Sequence, residues 1–135
     1  MLQQFEAHGT LTTKIEGRIL VAEGTGPWNL ESLDKSGNAA APQINVLAGK
    51  PWAALVILHG ECIYVHEASK VLIEIIKQER KEGRRGSAIL VNDSDSPSFA
   101  KQHLTDIFNQ AGETFDFFDN VEAARAWLDH LIKDA

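Results

Sequence analysis

The stretch that decides the fold is WAALVIL, residues 52–58. It contains no charged side chain, and a strand that is apolar on both faces is typical of the interior of a parallel sheet covered by helices. The turn residues at 49–51 set its start. A similar run, SAILV at 87–91, predicts a second buried strand. We therefore expect the chain to fold around a sheet with residues 52–58 near its centre.

An amphipathic helix separates these two strands. Apolar residues recur there every three or four positions, with charged residues on the opposite side, which is the pattern of a helix that covers a sheet. The apolar stripe comprises Ala68, Val71, Leu72, Ile75 and Ile76. Because parallel strands need a crossover connection, a helix between the two strands predicts that they are parallel.

Three further helices are predicted. The first begins at Asn29, and Gly37 and Pro42 predict that it is kinked or divided, because proline inside a helix removes a backbone hydrogen bond.

The third helix and the last complete the pattern. The third begins at Ser96 and carries Phe99 on its apolar stripe, and the last begins at Asp119 or Asn120. We expect Trp127, on the apolar stripe of the last helix, to be buried.

The remaining strands flank this core. Residues 5–15 and 18–24 predict an antiparallel β-hairpin, which ends at the structure-breaking residues 24–27, and residues 114–118 predict the last strand. The order is then ββαβαβαβα, a single α/β domain over residues 1–135. Its sheet is expected to be five-stranded, mixed and mostly parallel.

Composition limits the function. The 135 residues carry a net charge of −6, which disfavours nucleic-acid binding, and a single cysteine excludes an internal disulfide. No apolar run is long enough to span a bilayer, and the N-terminus lacks the pattern of a signal peptide. We expect a cytoplasmic protein without membrane insertion. The basic cluster of Arg80, Lys81, Arg84 and Arg85 predicts only a solvated helix end.

The densest group of reactive side chains follows the central strand. His59, Cys62 and His66 stand close together there, in a segment predicted to be a loop at the carboxyl edge of the sheet, where ligand sites gather. These residue types also suit a zinc site or a thiolate–imidazolium nucleophile. Since no further ligand pair or orienting group accompanies them, we expect no metal, no cofactor and no catalytic residue.

A second polar segment, residues 92–96, contains two aspartates beyond the end of a strand. Carboxylates in that position are typical of acidic magnesium pockets such as those of receiver domains. The other strand ends hold Gly24-Thr25-Gly26 and His59-Gly60 where such a pocket needs further acids. A turn followed by a helix cap is therefore predicted for residues 92–96.

Four motifs carry a family resemblance that covers nearly the whole chain: Ile15–Leu20, Gly26–Asn29, Lys50–Trp52 and Glu122–Leu128. With the order ββαβαβαβα, they resemble the STAS domain of bacterial anti-sigma-factor antagonists. The resemblance is strongest to small stand-alone SpoIIAA-like proteins of Gram-negative bacteria. It implies a non-enzymatic regulatory module that docks a protein partner through the loop and N-terminus of the second helix.

The resemblance also indicates where docking and regulation should lie. In that family a kinase phosphorylates a serine in an Asp-Ser-Ser-Gly-like motif at the start of the second helix. The matching stretch here, Val65–Lys70, lacks the motif, and Ser69 is the nearby candidate for phosphorylation. The residues predicted to bind the partner are His59, Cys62, His66, Glu67, Ser69 and Lys70.

Two other classes of function stay open. One is a small-molecule or lipid-binding protein with an apolar pocket between helix and sheet, beneath the first helix. The other is an enzyme that uses Cys62 and the neighbouring histidines. The sequence names neither the partner nor the oligomeric state, and a homodimer is compatible with it.

Overall fold

The computed structural model describes residues 9–134. The part of the predicted first strand at 5–8 lies outside them. The described elements alternate after an initial hairpin, as predicted. They are β1 (Thr10–Glu16), β2 (Ile19–Trp28), α1 (Leu30–Leu47), β3 (Trp52–Tyr64), α2 (His66–Lys81), β4 (Arg84–Leu90), α3 (Pro97–Ala111), β5 (Phe115–Phe117) and α4 (Val121–Lys133).

The five strands form one sheet in the order β1-β2-β3-β4-β5. β1 is antiparallel to β2, and the other neighbours are parallel to one another. The strand that begins at Trp52 is therefore central, and the predicted α/β fold with a mixed, mostly parallel sheet is confirmed.

Helices cover the two faces of the sheet unequally. One face packs against α1, α2 and α3, in a core that includes Leu58 of β3 and Leu104 of α3. Among the described helices, α4 alone packs against the other face, where Leu55 and Leu128 belong to a separate cluster. The two clusters exist because successive side chains of a strand point to opposite faces. Within residues 9–134, no helix is long and apolar enough to cross a membrane.

Three strands are longer than predicted. β2 continues through residues 24–28, and β3 continues through residues 59–64, which were expected to form a loop. β4 begins at Arg84 instead of at residue 87. Glycine makes the pairing of β2 with β3 possible, because a Cβ at Gly26 would lie 2.0 Å from the Glu61 carbonyl oxygen. The glycine that predicted a break thus permits two backbones to approach closely.

The first helix is continuous, contrary to the predicted division. α1 begins after Asn29, whose side chain accepts a hydrogen bond from the Ser32 N–H, and it passes through Pro42 to Leu47. Asn38, four residues before Pro42, lies on the exposed side of the helix. The carbonyl that proline leaves without a donor is therefore open to water, which lowers the cost of proline there.

Two aromatic residues are less buried than predicted. Trp127 is only half-buried and packs beside Phe118, with ring centroids 5.4 Å apart. Phe99 is 50% exposed at the start of α3. Both residues fall at the edge of an apolar stripe, where helical periodicity alone does not separate covered from uncovered positions.

Candidate functional site

The predicted site residues lie on two adjacent elements. His59 and Cys62 are on the carboxyl-terminal half of β3, in a strand and not in a loop. His66, Glu67, Ser69 and Lys70 are on the first turns of α2, which begins at the same edge of the sheet. The structure therefore brings the six residues to one end of the molecule.

His59 is held between two carboxylates. Its Nε2 lies 2.8 Å from Glu23 Oε2, and its Nδ1 lies 2.8 Å from Asp93 Oδ2. The contact with Glu23, followed by that with Asp93, raises the pKa of the imidazole above its usual value. A protonated His59 donates from both ring nitrogens, and it ties β2 and β3 to the segment that leads into α3.

Cys62 points to the opposite face of the sheet, into the core beneath α2 and α3. Its Sγ lies 3.7 Å from the His59 carbonyl oxygen, and burial raises the pKa of the thiol to about 11. The thiol therefore stays protonated at neutral pH and makes a poor nucleophile. Since both ring nitrogens of His59 contact carboxylates, a thiolate–imidazolium pair of Cys62 and His59 is contradicted.

The start of α2 is exposed and has no side-chain cap. The N-cap residue, Val65, is 41% exposed and makes no capping hydrogen bond. His66, Glu67 and Lys70 are exposed, while Ser69 is half-buried and its hydroxyl donates to the His66 carbonyl oxygen at 2.7 Å.

Two residues at this edge were not predicted as site residues. The Tyr64 N–H donates to Nε2 of His103 on α3 at 3.0 Å, and Phe99 stacks on the His103 ring at a centroid distance of 5.9 Å. Burial lowers the pKa of His103, which keeps this nitrogen free to accept a hydrogen bond. Phe99 and His103 are four residues apart on one helix, which is the only sequence signal that they lie together.

We name the surface formed by Val65, His66, Glu67, Lys70 and Phe99 the carboxyl-edge patch. Val65 directly follows Tyr64, whose backbone is bound by His103, and Phe99 stacks on that same His103. The patch thus combines two exposed apolar side chains with charged and polar neighbours.

The geometry does not favour a metal site. Among residues 9–134, no group of three or more His, Cys, Asp and Glu side chains is arranged to hold a metal ion. The carboxylates of Glu23 and Asp93 contact different nitrogens of His59, so they lie on opposite sides of the ring and do not converge. In the acidic segment, the Asp95 N–H donates to the Gly60 carbonyl at 2.8 Å and Ser94 Oγ donates to the Val91 carbonyl. This is the predicted turn, although the Ser96 side chain makes no capping hydrogen bond.

The basic cluster is not only a solvated helix end, and this prediction was wrong for Arg84. Its guanidinium is buried at the start of β4, with Nε 2.5 Å from Glu113 Oε2 and Nη1 2.6 Å from Glu79 Oε1. Ser87 Oγ also donates to Glu113 at 2.7 Å. Burial alone would raise the pKa of Glu113, but Arg84 holds it below its usual value. This cluster stabilises the amino edge of the sheet, away from the carboxyl-edge patch.

The sheet order, the antiparallel first strand and the placement of α4 alone on one face define a SpoIIAA-like fold. A crystal structure of an uncharacterised protein of the DUF3478 family from Shewanella loihica PV-4, described as having a SpoIIAA-like fold, superposes with a TM-score of 0.58. The match covers 95% of this chain and 99% of that chain at 15% sequence identity, which establishes a shared fold. No protein-family model matches the chain, and no curated protein matches it.

Proposed function

We propose that this chain is a non-enzymatic protein-interaction module of the cytoplasm that docks a partner protein through the carboxyl-edge patch. The observation that carries the proposal is the exposure of Phe99 and Val65, 50% and 41%, at the same edge of the sheet. Interfaces are typically built from aromatic and apolar anchors surrounded by a polar rim. Here His66, Glu67 and Lys70 supply that rim.

The ends of two helices indicate the chemistry of the partner. α2 and α3 both begin at the carboxyl edge, and neither Val65 nor Ser96 caps its helix with a side chain. Free N–H groups and the positive end of the helix dipole favour a negative group. We therefore infer a partner segment that presents an acidic side chain next to an apolar one.

Ser69 is the proposed site of regulation. Its hydroxyl lies one turn inside α2 and donates to the His66 carbonyl. A phosphate there would replace that contact and add a charge of roughly −2 beside Glu67, which would repel an acidic partner group. In the anti-sigma-factor antagonists that the chain resembles, phosphorylation at this helix controls docking. The resemblance therefore supports the proposal that a phosphate on Ser69 weakens partner binding.

The proposal is tested by capture of partners from the native host with immobilised wild-type protein, followed by affinity measurements with the purified partner. We expect Phe99→Ser and Val65→Ser each to weaken binding at least tenfold, because each removes an apolar side chain that the partner would cover in the complex. Val46→Ser is the matched control, since Val46 is 69% exposed near the end of α1, at the opposite edge of the sheet. If both the Phe99 and the Val65 variant bind the partner with the affinity of the wild type, the carboxyl-edge patch is not the docking site.

The charge of the partner is tested separately. If the partner presents an acidic group, Glu67→Lys should tighten binding about threefold at low salt, and the gain should vanish in high salt. Weaker binding of Glu67→Lys would instead indicate a basic partner surface.

A further inference from the structure

A small pocket lies at the amino edge of the sheet, between the segment that precedes β3 and the end of α2. Residues 49–51 form one wall, and the last turn of α2 with the start of β4 forms the other. The pocket has a volume of about 210 Å³, below the range of roughly 300–1,000 Å³ for drug-sized ligands, so it suits a compact one. We name it the amino-edge pocket.

The amino-edge pocket is lined by cations from three segments of the chain. Lys50 precedes β3, Arg85 lies on β4, and Arg80 and Lys81 belong to the last turn of α2. A helix dipole favours basic residues at the end of its own helix, but it does not account for Lys50 or Arg85. Glu82 is the single acidic residue among the described lining residues. The fold therefore gathers at one pocket cations that a helix end alone does not explain.

Three of these cations have no counterion among residues 9–134. Lys50, Lys81 and Arg85 are exposed, and their side chains form no ion pair and no hydrogen bond with the described part of the chain. Like charges that are gathered without counterions repel one another, which costs stability. The chain has 19 acidic residues against 13 basic ones, yet Glu82 alone stands among the described residues of this pocket. An anion from outside the chain would remove the repulsion.

The backbone of the pocket is fixed by contacts that do not involve these three side chains. The Gly49 N–H donates to the Glu82 carbonyl at 2.8 Å, which ties one wall to the other. Behind the first wall, the Arg18 guanidinium donates to the Lys50 and Pro51 carbonyls at 3.1 and 3.0 Å. Arg18 contacts only carbonyl groups among the described residues, so its charge adds to the positive potential of the pocket.

Arg80 presents a guanidinium that is already held in place. Its Nη1 donates to Glu113 Oε1 and to the Arg85 carbonyl, while Nε and Nη2 make no hydrogen bond to residues 9–134. A donor whose side chain is fixed loses little entropy when it binds an anion, and the guanidinium group matches the geometry of phosphate. The pocket thus combines one fixed donor with three exposed cations.

We propose that the amino-edge pocket binds a linear oligophosphate of two or three phosphoryl groups, which is either free or the tail of a nucleotide. Its oxygens pair with Lys50 on one wall and with Lys81 and Arg85 on the other. A phosphate chain carries charged oxygens along its whole length and has no apolar part, which matches a pocket lined mainly by cations and glycines. The proposal goes beyond protein docking, because the amino-edge pocket and the carboxyl-edge patch lie at opposite edges of the sheet and share no residue.

The probe is sodium tripolyphosphate, and isothermal titration calorimetry at low salt compares it with inorganic phosphate and with citrate. Inorganic phosphate carries fewer charged oxygens, and citrate places its carboxylates on a branched carbon frame. We expect tripolyphosphate to bind about tenfold more tightly than either anion, and its affinity to fall in high salt. Absence of tripolyphosphate binding at millimolar concentration, or an affinity no higher than that of citrate, would overturn the proposal.

ATP without magnesium distinguishes the two sources of the phosphate chain. If ATP binds with an affinity close to that of tripolyphosphate, the chain enters as the tail of a nucleotide. If ATP is excluded, the ligand is a free oligophosphate. A Kd for ATP more than about tenfold below that of tripolyphosphate would assign recognition to the nucleoside and contradict the proposal.

Variants then test the three cations. Lys50→Gln, Lys81→Gln and Arg85→Gln should each weaken tripolyphosphate binding about threefold to tenfold, because each removes one charged donor from an exposed position on which the fold does not depend. Lys35→Gln is the matched control, since Lys35 is exposed on α1 and its loss changes the net charge by the same amount. Equal weakening by Lys35→Gln would show attraction by net charge alone and contradict the proposal.

NMR chemical shifts locate the probe independently of the variants. Tripolyphosphate should shift the backbone amide resonances of Gly49, Gly83 and Arg85, which line the pocket. Shifts confined to the first turns of α2 and α3 would place the probe at the carboxyl edge and overturn the proposal.

Discussion

His59 is stabilised in its protonated form by Glu23 and Asp93, on opposite sides of its ring. We expect its pKa, followed by NMR, to lie above the usual 6.5 and to fall in Glu23→Gln and in Asp93→Asn. The contribution of this contact to stability is complete below pH 6.5 and is lost as the pH rises through the pKa of the folded state. A His59 that titrates at or below 6.5 would show that the two carboxylates do not hold the ring.

His103 has the opposite dependence on pH. The neutral ring accepts the Tyr64 N–H, and burial lowers its pKa, so the folded state takes up a proton less readily than the unfolded chain. Its contribution to stability is complete above pH 6.5 and is lost as the pH falls toward the pKa of the folded state.

Urea unfolding at several pH values tests this assignment. The wild type should exceed His103→Ala in stability most at pH 7.5, and by less as the pH falls below 6.5. His59→Ala provides the comparison, since its difference from the wild type should instead shrink as the pH rises. A difference for His103→Ala that does not vary with pH would contradict the hydrogen bond to neutral His103.

At the level of elements, the pairing of β2 with β3 depends on a missing side chain. A Cβ at Gly26 would lie 2.0 Å from the Glu61 carbonyl oxygen, so Gly26→Ala must push the two strands apart. We expect a loss of about 2–3 kcal/mol in the free energy of unfolding, the upper range for overpacking. Gly37→Ala, on helix α1, is the control, because a Cβ there would meet no neighbouring group within 4 Å. This variant should stabilise the protein by about 0.5–1 kcal/mol. Urea denaturation measures both, and a neutral Gly26→Ala would show that the strands can separate without cost.

Helices and strands were predictable from the sequence where the spacing of their apolar residues follows one periodicity. The helices and the apolar segments of β2, β3 and β4 follow from it, because each buries a regular apolar face. The carboxyl-terminal halves of β2 and β3 were missed because they contain Gly26 and Gly60, and because His59 is polar. Those residues are in strands because they pair with a neighbouring strand. The sequence of one segment does not show which strand lies beside it.

At the scale of the whole molecule, Arg84 joins three parts of the chain. It binds Glu79 of α2 and Glu113 after α3 from its position on β4. Glu113→Gln should cost about 3–5 kcal/mol, because it leaves a buried guanidinium without one of its carboxylates. Glu74→Gln is the control, since Glu74 pairs with Lys77 on the surface and its loss should be negligible. Chemical denaturation compares the two, and similar losses would show that the Arg84 cluster is not a stabilising centre.

The candidate site was only partly predictable at this scale. The sequence placed His66, Glu67, Ser69 and Lys70 near a helix start at the carboxyl edge, because that position follows from strand and helix order. Phe99 and His103 come from α3, the next helix along the chain. Their contact with the end of β3 depends on how α3 packs against the sheet, which no local pattern encodes.

The strand order, in which every strand lies beside the one that precedes it in the chain, has a consequence for synthesis. As the polypeptide leaves the ribosome, each new strand finds its neighbour already made, and none has to insert between two others. Such sequential pairing keeps loop-closure entropy small and suits folding from the N-terminus. Among the helices of residues 9–134, α4 alone covers the face where Ile19, Leu55 and Ala88 lie, and it is made after all five strands. A nascent chain in which α4 has not yet been made therefore leaves that apolar face uncovered, and exposed apolar surface of this kind favours aggregation during synthesis.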